Sequence, residues 1–67
     1  MITINGNPRD LPDGTAVAEV VTELVGGPDP RGVAVAVNGE VVPRTAWATT
    51  TVAAGDRVEV LTASQGG

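Results

Sequence analysis

The sequence predicts an α+β fold in which one amphipathic helix packs across one face of a mixed sheet of four or five strands. Apolar residues recur at helical spacing between positions 17 and 25, and short strand-like stretches lie on both sides of that segment. The chain has 67 residues, which is near the lower size limit for a core without disulfides or a metal. One domain is therefore expected, since so short a chain has few other ways to bury the apolar face of its helix.

The segment before the helix predicts two strands. Residues 1–5 alternate apolar and polar side chains, residues 6–8 (Gly-Asn-Pro) have the chemistry of a turn, and residues 9–11 are typical of a short returning edge strand. Residues 12–15 (Pro-Asp-Gly-Thr) end this strand. The hydroxyl of Thr15 is expected to cap the helix that follows.

The helix is predicted from an apolar stripe with charged residues on the opposite face. Glu19 and Glu23 point to solvent in this arrangement, and Glu19 is also near the helix start, where the dipole favours a negative charge. Residues 26–28 (Gly-Gly-Pro) supply the stop signal. The stripe follows the spacing i, i+3, i+4, i+7 and i+8 and consists of Val17, Val20, Val21, Leu24 and Val25.

A hairpin is predicted after the helix. Residues 33–37 alternate valine and alanine, so valine is expected to face the helix and alanine the opposite side of the sheet. Asn38-Gly39 is a strong hairpin signal because a type I′ turn needs positive φ at both central residues. Residues 40–42 should therefore pair back as an antiparallel strand, which Pro43 ends because proline cannot donate to a ladder.

The last third of the chain predicts a crossing and a final strand. Val58 and Val60 of that strand are expected to face the core. The segments are, in order, an irregular or short helical crossing over 44–48, an extended stretch over 49–52, a turn over 53–56 and the final strand over 57–61. Two strands, one helix and two or three further strands is the β-grasp arrangement of ubiquitin-like domains. The predicted domain thus spans residues 1–61, and residues 62–67 form a flexible tail.

Composition excludes several classes of function. The chain contains no Cys and no His, which removes disulfides, the usual zinc or iron ligands, a thiol nucleophile and an imidazole base. The eight carboxylates show no metal-loop spacing, so neither catalytic residues nor a bound metal are expected. The net charge is −4, and the four basic residues are spread along the chain, which argues against nucleic acid and against anionic membranes. No secretory signal or membrane span is visible, so a cytoplasmic location is expected.

The sequence ends in Gly66-Gly67, directly after a short polar stretch. With 9 glycines in 67 residues, two at the end would arise by chance about 2% of the time. Glycine has no Cβ, so such an end can enter a narrow channel and adopt backbone angles closed to other residues. This pattern predicts a tail whose terminal carboxylate is bound and activated by an enzyme.

Several runs along the chain resemble one family. They are Val42-Pro43-Arg44-Thr45-Ala46-Trp47, Val52-Ala53-Ala54-Gly55-Asp56, Gly14-Thr15 with Val17, Val37-Asn38-Gly39-Glu40 and the terminal diglycine. Together they resemble the ThiS family, the sulfur carrier proteins of thiamine biosynthesis, over nearly the whole chain. The most specific run is Val-Pro-Arg-x-x-Trp. The chain departs from the family at Ser64, where a bulkier apolar residue is more usual.

The resemblance implies a reaction at the C-terminus. An E1-like adenylating enzyme of the ThiF type, using ATP and magnesium, would convert the Gly67 carboxylate to an acyl-adenylate. Sulfur from a cysteine desulfurase relay would then replace AMP and leave a thiocarboxylate. A thiazole synthase of the ThiG type would take up that sulfur. The chain would itself be no enzyme, would bind no cofactor and would be a monomer when free.

The resemblance also implies roles for individual residues. Gly67 is the modified residue, and Ser64, Gln65 and Gly66 present it. Candidate partner contacts are Arg44, Trp47 and Leu61. For Trp47, the only aromatic residue, packing over a core poor in large side chains is the favoured interpretation. The outer sheet face, with Ala34, Ala36 and Leu61, is either a flat docking surface or ordinary apolar surface.

Three other functions remain as alternatives. The first is a sulfur carrier of another pathway, of the molybdopterin synthase small subunit type, which shares fold and tail. The second is a ubiquitin-like tag that forms isopeptide bonds with target lysines, and the third is a β-grasp interaction domain with an idle tail. The Val-Pro-Arg-x-x-Trp run favours the thiamine carrier over the first, whereas conjugation is left open by the sequence.

Overall fold

The computed structural model describes residues 1–25 and 32–62. Seven strands and one α-helix lie in these residues, with a short 3₁₀ turn, Arg44–Ala46, between two of the strands. Among the described residues no helix is long and apolar enough to cross a membrane. In chain order the elements are β1 (Ile2–Ile4), β2 (Asn7–Arg9), β3 (Thr15–Ala16), α1 (Val17–Val25), β4 (Val33–Val37), β5 (Glu40–Val42), β6 (Thr51–Val52) and β7 (Arg57–Thr62).

Five of the strands form one mixed sheet in the order β2-β1-β7-β4-β5. The first and last strands, β1 and β7, run parallel at its centre, and the other neighbouring pairs are antiparallel. Strands β3 and β6 form a separate antiparallel pair beside the helix start. This arrangement confirms the predicted α+β, β-grasp fold.

The first hairpin differs from the prediction. Its turn is Asn5-Gly6, with φ values of 52° and 83°, and not residues 6–8. The returning strand is accordingly Asn7–Arg9, two residues earlier than the predicted 9–11. Asn-Gly is the pair that a two-residue type I′ turn favours, whereas Pro8 is tolerated because β2 is an edge strand of the sheet. The prediction assigned the turn to the segment that contains Pro8, whereas the Asn5-Gly6 pair determines the register of the hairpin.

The start of the helix also differs from the prediction. Thr15 does not cap the helix: it lies in β3, and its hydroxyl donates to the carbonyl of Pro12 at 2.7 Å. The first free N–H groups of the helix are bonded by a distant loop instead. Val17 N–H donates to Thr50 O at 2.8 Å, and Ala18 N–H donates to Trp47 O at 3.1 Å. Main-chain carbonyls of residues 47–50 therefore satisfy the donors that a side-chain cap would have taken.

The helix stripe packs on the sheet as predicted at four of its five positions, and the side chain of Val25 lies outside the described structure. Val17, Val20 and Val21 are buried, Leu24 packs against the core, and Glu19 and Glu23 are exposed. The helix ends at Val25, directly before the predicted stop, whose residues 26–28 lie outside the described residues. The buried core consists of Ile2, Ile4, Val17, Val20, Val21, Val35, Trp47, Val52, Val58 and Val60.

The second hairpin and the inward-facing residues of the final strand agree with the prediction. Asn38-Gly39 forms the turn with φ values of 52° and 85°, and β5 pairs with β4 in the register Val37 to Glu40. Val35 is buried and Ala34 is exposed, as the alternation predicted. Val58 and Val60 face the core. The crossing contains the 3₁₀ turn, and the extended stretch is shorter than predicted, with Thr51–Val52 as its strand.

Trp47 is a core residue. Its side chain is 5% exposed, and its indole N–H donates to the carbonyl of Val42 at 2.9 Å, which ties the crossing to the end of β5. The other buried side chains are valine and isoleucine, so this ring is the largest group in the core. The structure therefore supports packing, and not partner contact, as the role of this side chain.

Replacing Trp47 by phenylalanine tests that role. We expect Trp47→Phe to lower the free energy of unfolding by about 1–2 kcal/mol, because it removes the bond to Val42 O and some buried volume. Urea unfolding followed by circular dichroism measures this change. Unchanged stability together with impaired recognition by a partner enzyme would instead assign the ring to a contact surface.

Candidate functional site

The last strand leads into the segment that the sequence marks as functional. Strand β7 lies between β1 and β4 at the centre of the sheet, and its final residue, Thr62, pairs with Val33 of β4. Strand β7 thus extends one residue beyond the final strand predicted over 57–61. The predicted tail-presenting residues Ser64, Gln65 and Gly66 and the predicted modified residue Gly67 lie outside the described residues. Thr62 is therefore the last described residue before the predicted tail.

The Asn5 side chain holds β7 two residues before that point. Its Nδ2 donates to Val60 O at 3.1 Å, and its Oδ1 accepts from Val60 N–H at 2.8 Å. The Asn5 main-chain N–H donates to Val58 O at 2.9 Å, which is the parallel β1–β7 pattern. If β1 continued straight, its next carbonyl and N–H would take both positions at Val60. The amide group of Asn5 replaces them after the main chain has turned away.

A second asparagine holds the other end of β7. Asn38 Oδ1 accepts from Arg57 N–H at 2.9 Å, and Asn38 Nδ2 donates to Asp56 Oδ1 at 3.0 Å. Asp56 Oδ2 also accepts from Ala53 N–H at 2.9 Å within the turn before the strand. The bond from Asn38 and then the one from Ala53 lower the pKa of Asp56 below its ordinary value of 3.8, because both stabilise the carboxylate form. Each Asn-Gly turn thus contacts one end of the strand.

The Asp56 contacts predict a pH dependence of stability. A lowered folded-state pKa means that the stabilisation is present above the ordinary value of 3.8 and is lost as the pH falls through the folded-state pKa. Asp56→Asn should therefore destabilise the protein at pH 7, and the difference from wild type should shrink below about pH 4. Urea titrations at several pH values measure this, with Glu40→Gln on exposed β5 as the control for loss of one charge. A difference that stays constant with pH would contradict it.

An apolar patch covers the outer sheet face, opposite the helix. Leu61 is 71% exposed and pairs with Ala34, and Val41 is 76% exposed and pairs with Ala36. A shallow groove of about 210 Å³ runs across this patch. We call this surface the outer patch; it consists of Ala34, Ala36, Val41 and Leu61, with Asn5 and Glu59 beside it.

Val41 is the member of the outer patch that the sequence interpretation missed. The signal was available, because a two-residue turn at Asn38-Gly39 sets Val37 opposite Glu40 and therefore Ala36 opposite Val41. Side chains that pair directly lie on the same face of a sheet. Val41 must then share the face of Ala36, away from the helix.

The three candidate partner contacts lie in different places. Leu61 is in the outer patch, whereas Trp47 lies in the core on the helix side of the sheet. Arg44 is exposed in the 3₁₀ turn after β5, and it makes no ion pair with the described residues. Arg44 and Leu61 thus remain candidates for a contact surface, while Trp47 supports the turn that carries Arg44. Among the described residues no cluster of three or more metal-ligating side chains comes together.

Comparison with known proteins identifies a family and two solved structures that are similar to this chain. The model of the ThiS family matches residues 2–67. A crystal structure of the thiamine biosynthesis protein ThiS from Geobacter metallireducens is 35% identical, with a TM-score of 0.76 over 98% of this chain and 97% of that one. An NMR solution structure of a thiamine biosynthesis protein from Geobacter metallireducens is 37% identical, with a TM-score of 0.75 over 98% of this chain and 86% of that one. No curated protein sequence matches the chain significantly.

Proposed function

The chain belongs to the ThiS family, and on that premise we propose that it is a sulfur carrier protein of thiamine biosynthesis whose reactive group is the Gly67 carboxylate. The observation that carries this proposal is the extent of the family match, which covers residues 2–67 and thus includes the terminal diglycine. In this proposal, partner enzymes bind the domain, and the catalytic residues are supplied by those cytoplasmic enzymes.

The chemistry begins with activation of the carboxylate. A free carboxylate is a poor acyl donor, so an adenylating enzyme of the ThiF type uses ATP and magnesium to form the acyl-adenylate of Gly67 and release pyrophosphate. The terminal sulfur of a cysteine-derived persulfide then displaces AMP and forms an acyl disulfide. A thiol reduces this acyl disulfide, forms a disulfide with the donor sulfur that is left, and releases the chain with a C-terminal thiocarboxylate. The later donation of sulfur requires no base from this chain, because a thiocarboxylate is ionised at neutral pH and is nucleophilic at sulfur.

The outer patch supports a docking role in the same proposal. It places two largely exposed apolar side chains, Val41 and Leu61, on a surface where the neighbouring residues are small alanines. Burial of such side chains against a partner supplies association energy, at about 25 cal/mol per Å² of apolar area. Leu61 is also one residue before Thr62, so a protein docked here is close to the end of β7. We assign the outer patch to the activating enzyme.

Reconstitution of sulfur transfer tests the proposed function against its alternatives. The thiocarboxylate form of the chain is prepared and offered to a thiazole synthase and, separately, to the large subunit of molybdopterin synthase. We expect sulfur transfer only with the thiazole synthase. Transfer only to the molybdopterin enzyme would assign the chain to the other pathway, and stable attachment to lysines of other proteins would assign it to conjugation.

A further inference from the structure

The parallel pairing of β1 and β7 stops before β7 does. The paired residues are Thr3 with Arg57 and Ile4 with Val58, after which the main chain turns at Asn5-Gly6. On its other side β7 remains paired with β4 as far as Thr62. The stretch from Glu59 to Thr62 therefore has a paired strand on one side only. Within the described residues, the Asn5 amide is what bonds the β1-facing side of this stretch at Val60.

The local chemistry at Asn5 matches that task closely. The position needs a hydrogen-bond donor and an acceptor on one short planar group, and a backbone φ of 52°. Asparagine supplies both functions and tolerates the left-handed region better than most residues. Aspartate keeps the acceptor but sets a carboxylate oxygen against Val60 O, and glycine keeps the turn but offers no side chain.

We propose that Asn5 is a positioning residue for activation of the C-terminus. By bonding both main-chain groups of Val60, it fixes the direction in which the chain leaves β7 at Thr62 and so aims the terminal carboxylate at the activating enzyme. This inference rests on the proposed function. Asn5 lies beside the outer patch, so it links the surface that docks to the strand that delivers the tail.

The chain supplies its own matched control in Asn38. Both asparagines have a φ of 52°, both precede a glycine, and both bond β7 through their side chains. Asn38 bonds the start of the strand at Arg57, whereas Asn5 bonds it near the tail. Replacing either residue by glycine removes the side chain without backbone strain. A general loss of sheet stability would therefore affect both variants, but a loss of tail positioning would affect only one.

Amide hydrogen exchange tests the structural step directly. We expect Asn5→Gly to speed exchange of the Val60 amide about ten-fold or more relative to wild type, because that amide loses its acceptor. Asn38→Gly should leave the Val60 amide protected. Equal protection of Val60 in Asn5→Gly and wild type would show that the side chain does not hold the strand and would overturn the inference.

Kinetics of activation test the functional step. With the chain as substrate of a ThiF-type enzyme, Asn5→Gly should lower kcat about ten-fold with little change in KM, since docking is intact but fewer docked chains deliver the tail correctly. Asn5→Asp should lower kcat at least as much at neutral pH. Asn38→Gly should retain wild-type kcat and KM at a temperature where circular dichroism shows all variants folded.

Each other result contradicts the inference. A raised KM with unchanged kcat would make Asn5 a direct docking contact, and equal losses in the Asn5 and Asn38 variants would reduce its role to stability. Wild-type kcat and KM in Asn5→Gly would overturn this inference and leave the proposed function standing. Failure of the wild-type chain to be activated by any ThiF-type enzyme would overturn the proposed function and this inference with it.

Discussion

We expect that deleting Gly67, or adding one alanine after it, abolishes activation of the chain while the domain stays folded. The physical reason is reach: one extended residue spans about 3.5 Å, so either change moves the terminal carboxylate by that distance. A misplacement of about 1 Å already costs on the order of 100-fold in rate when reacting groups must align. Among the described residues, the core lies between Ile2 and Val60.

Pyrophosphate exchange catalysed by the adenylating enzyme measures this effect, and circular dichroism and urea unfolding provide the control for folding. Gly67→Ala distinguishes the length of the tail from the space around its last residue. It keeps the chain length and the terminal carboxylate and adds only a methyl group. We expect it to be activated poorly, because the added Cβ enters a channel built for glycine. Sulfur uptake by the deletion or extension variant at the wild-type rate would remove the Gly67 carboxylate from the mechanism.

We expect charged residues introduced into the outer patch to weaken recognition by the activating enzyme. We expect Val41→Asp and Leu61→Asp each to raise KM by about 10-fold to 100-fold, as an interface anchor is worth about 2 kcal/mol and a buried charge adds a desolvation cost. Both side chains are more than two-thirds exposed in the free protein, so the domain should fold normally. The two changes lie on one surface, so their effects need not add.

Thr22→Asp is the matched control for this prediction, because it adds the same charge at an exposed position of α1, on the opposite side of the sheet. It should leave KM and kcat at wild-type values. If the Val41 and Leu61 variants bound the enzyme as tightly as wild type, the docking surface would lie elsewhere, and the exposed turn that carries Arg44 would be the next candidate.

Local signals in the sequence were sufficient for most of the fold. The valine and alanine alternation of β4, the turn at Asn38-Gly39 and the stripe of α1 each determine their structure through neighbouring residues. Asn5-Gly6 carries the same signal as Asn38-Gly39, and Pro8 diverted the interpretation from it. The first hairpin could therefore have been predicted correctly with the same rule.

Other features depend on contacts between distant parts of the chain. Bonds from Val17 and Ala18 to carbonyls of residues 47–50 replace a side-chain cap, so no local motif marks the helix start. The parallel pairing of β1 with β7 brings the two ends of the domain together, and only this pairing places the Asn5 amide at Val60. The Asn-Gly pair could have predicted the turn at Asn5, whereas the bonds of its side chain to Val60 follow from topology. The sequence could predict Leu61 as a contact candidate, but the register was needed to add Val41.

The central claim is that Gly67 becomes a thiocarboxylate, and the intact mass of the chain measures this most directly. The full chain is incubated with ATP, magnesium, a ThiF-type enzyme, a cysteine desulfurase with cysteine and a thiol reductant such as dithiothreitol, and it is then analysed by mass spectrometry. We predict a mass increase equal to the difference between sulfur and oxygen, located in the C-terminal peptide and dependent on ATP. An unchanged mass under these conditions, with an enzyme that activates other members of the family, would contradict the account.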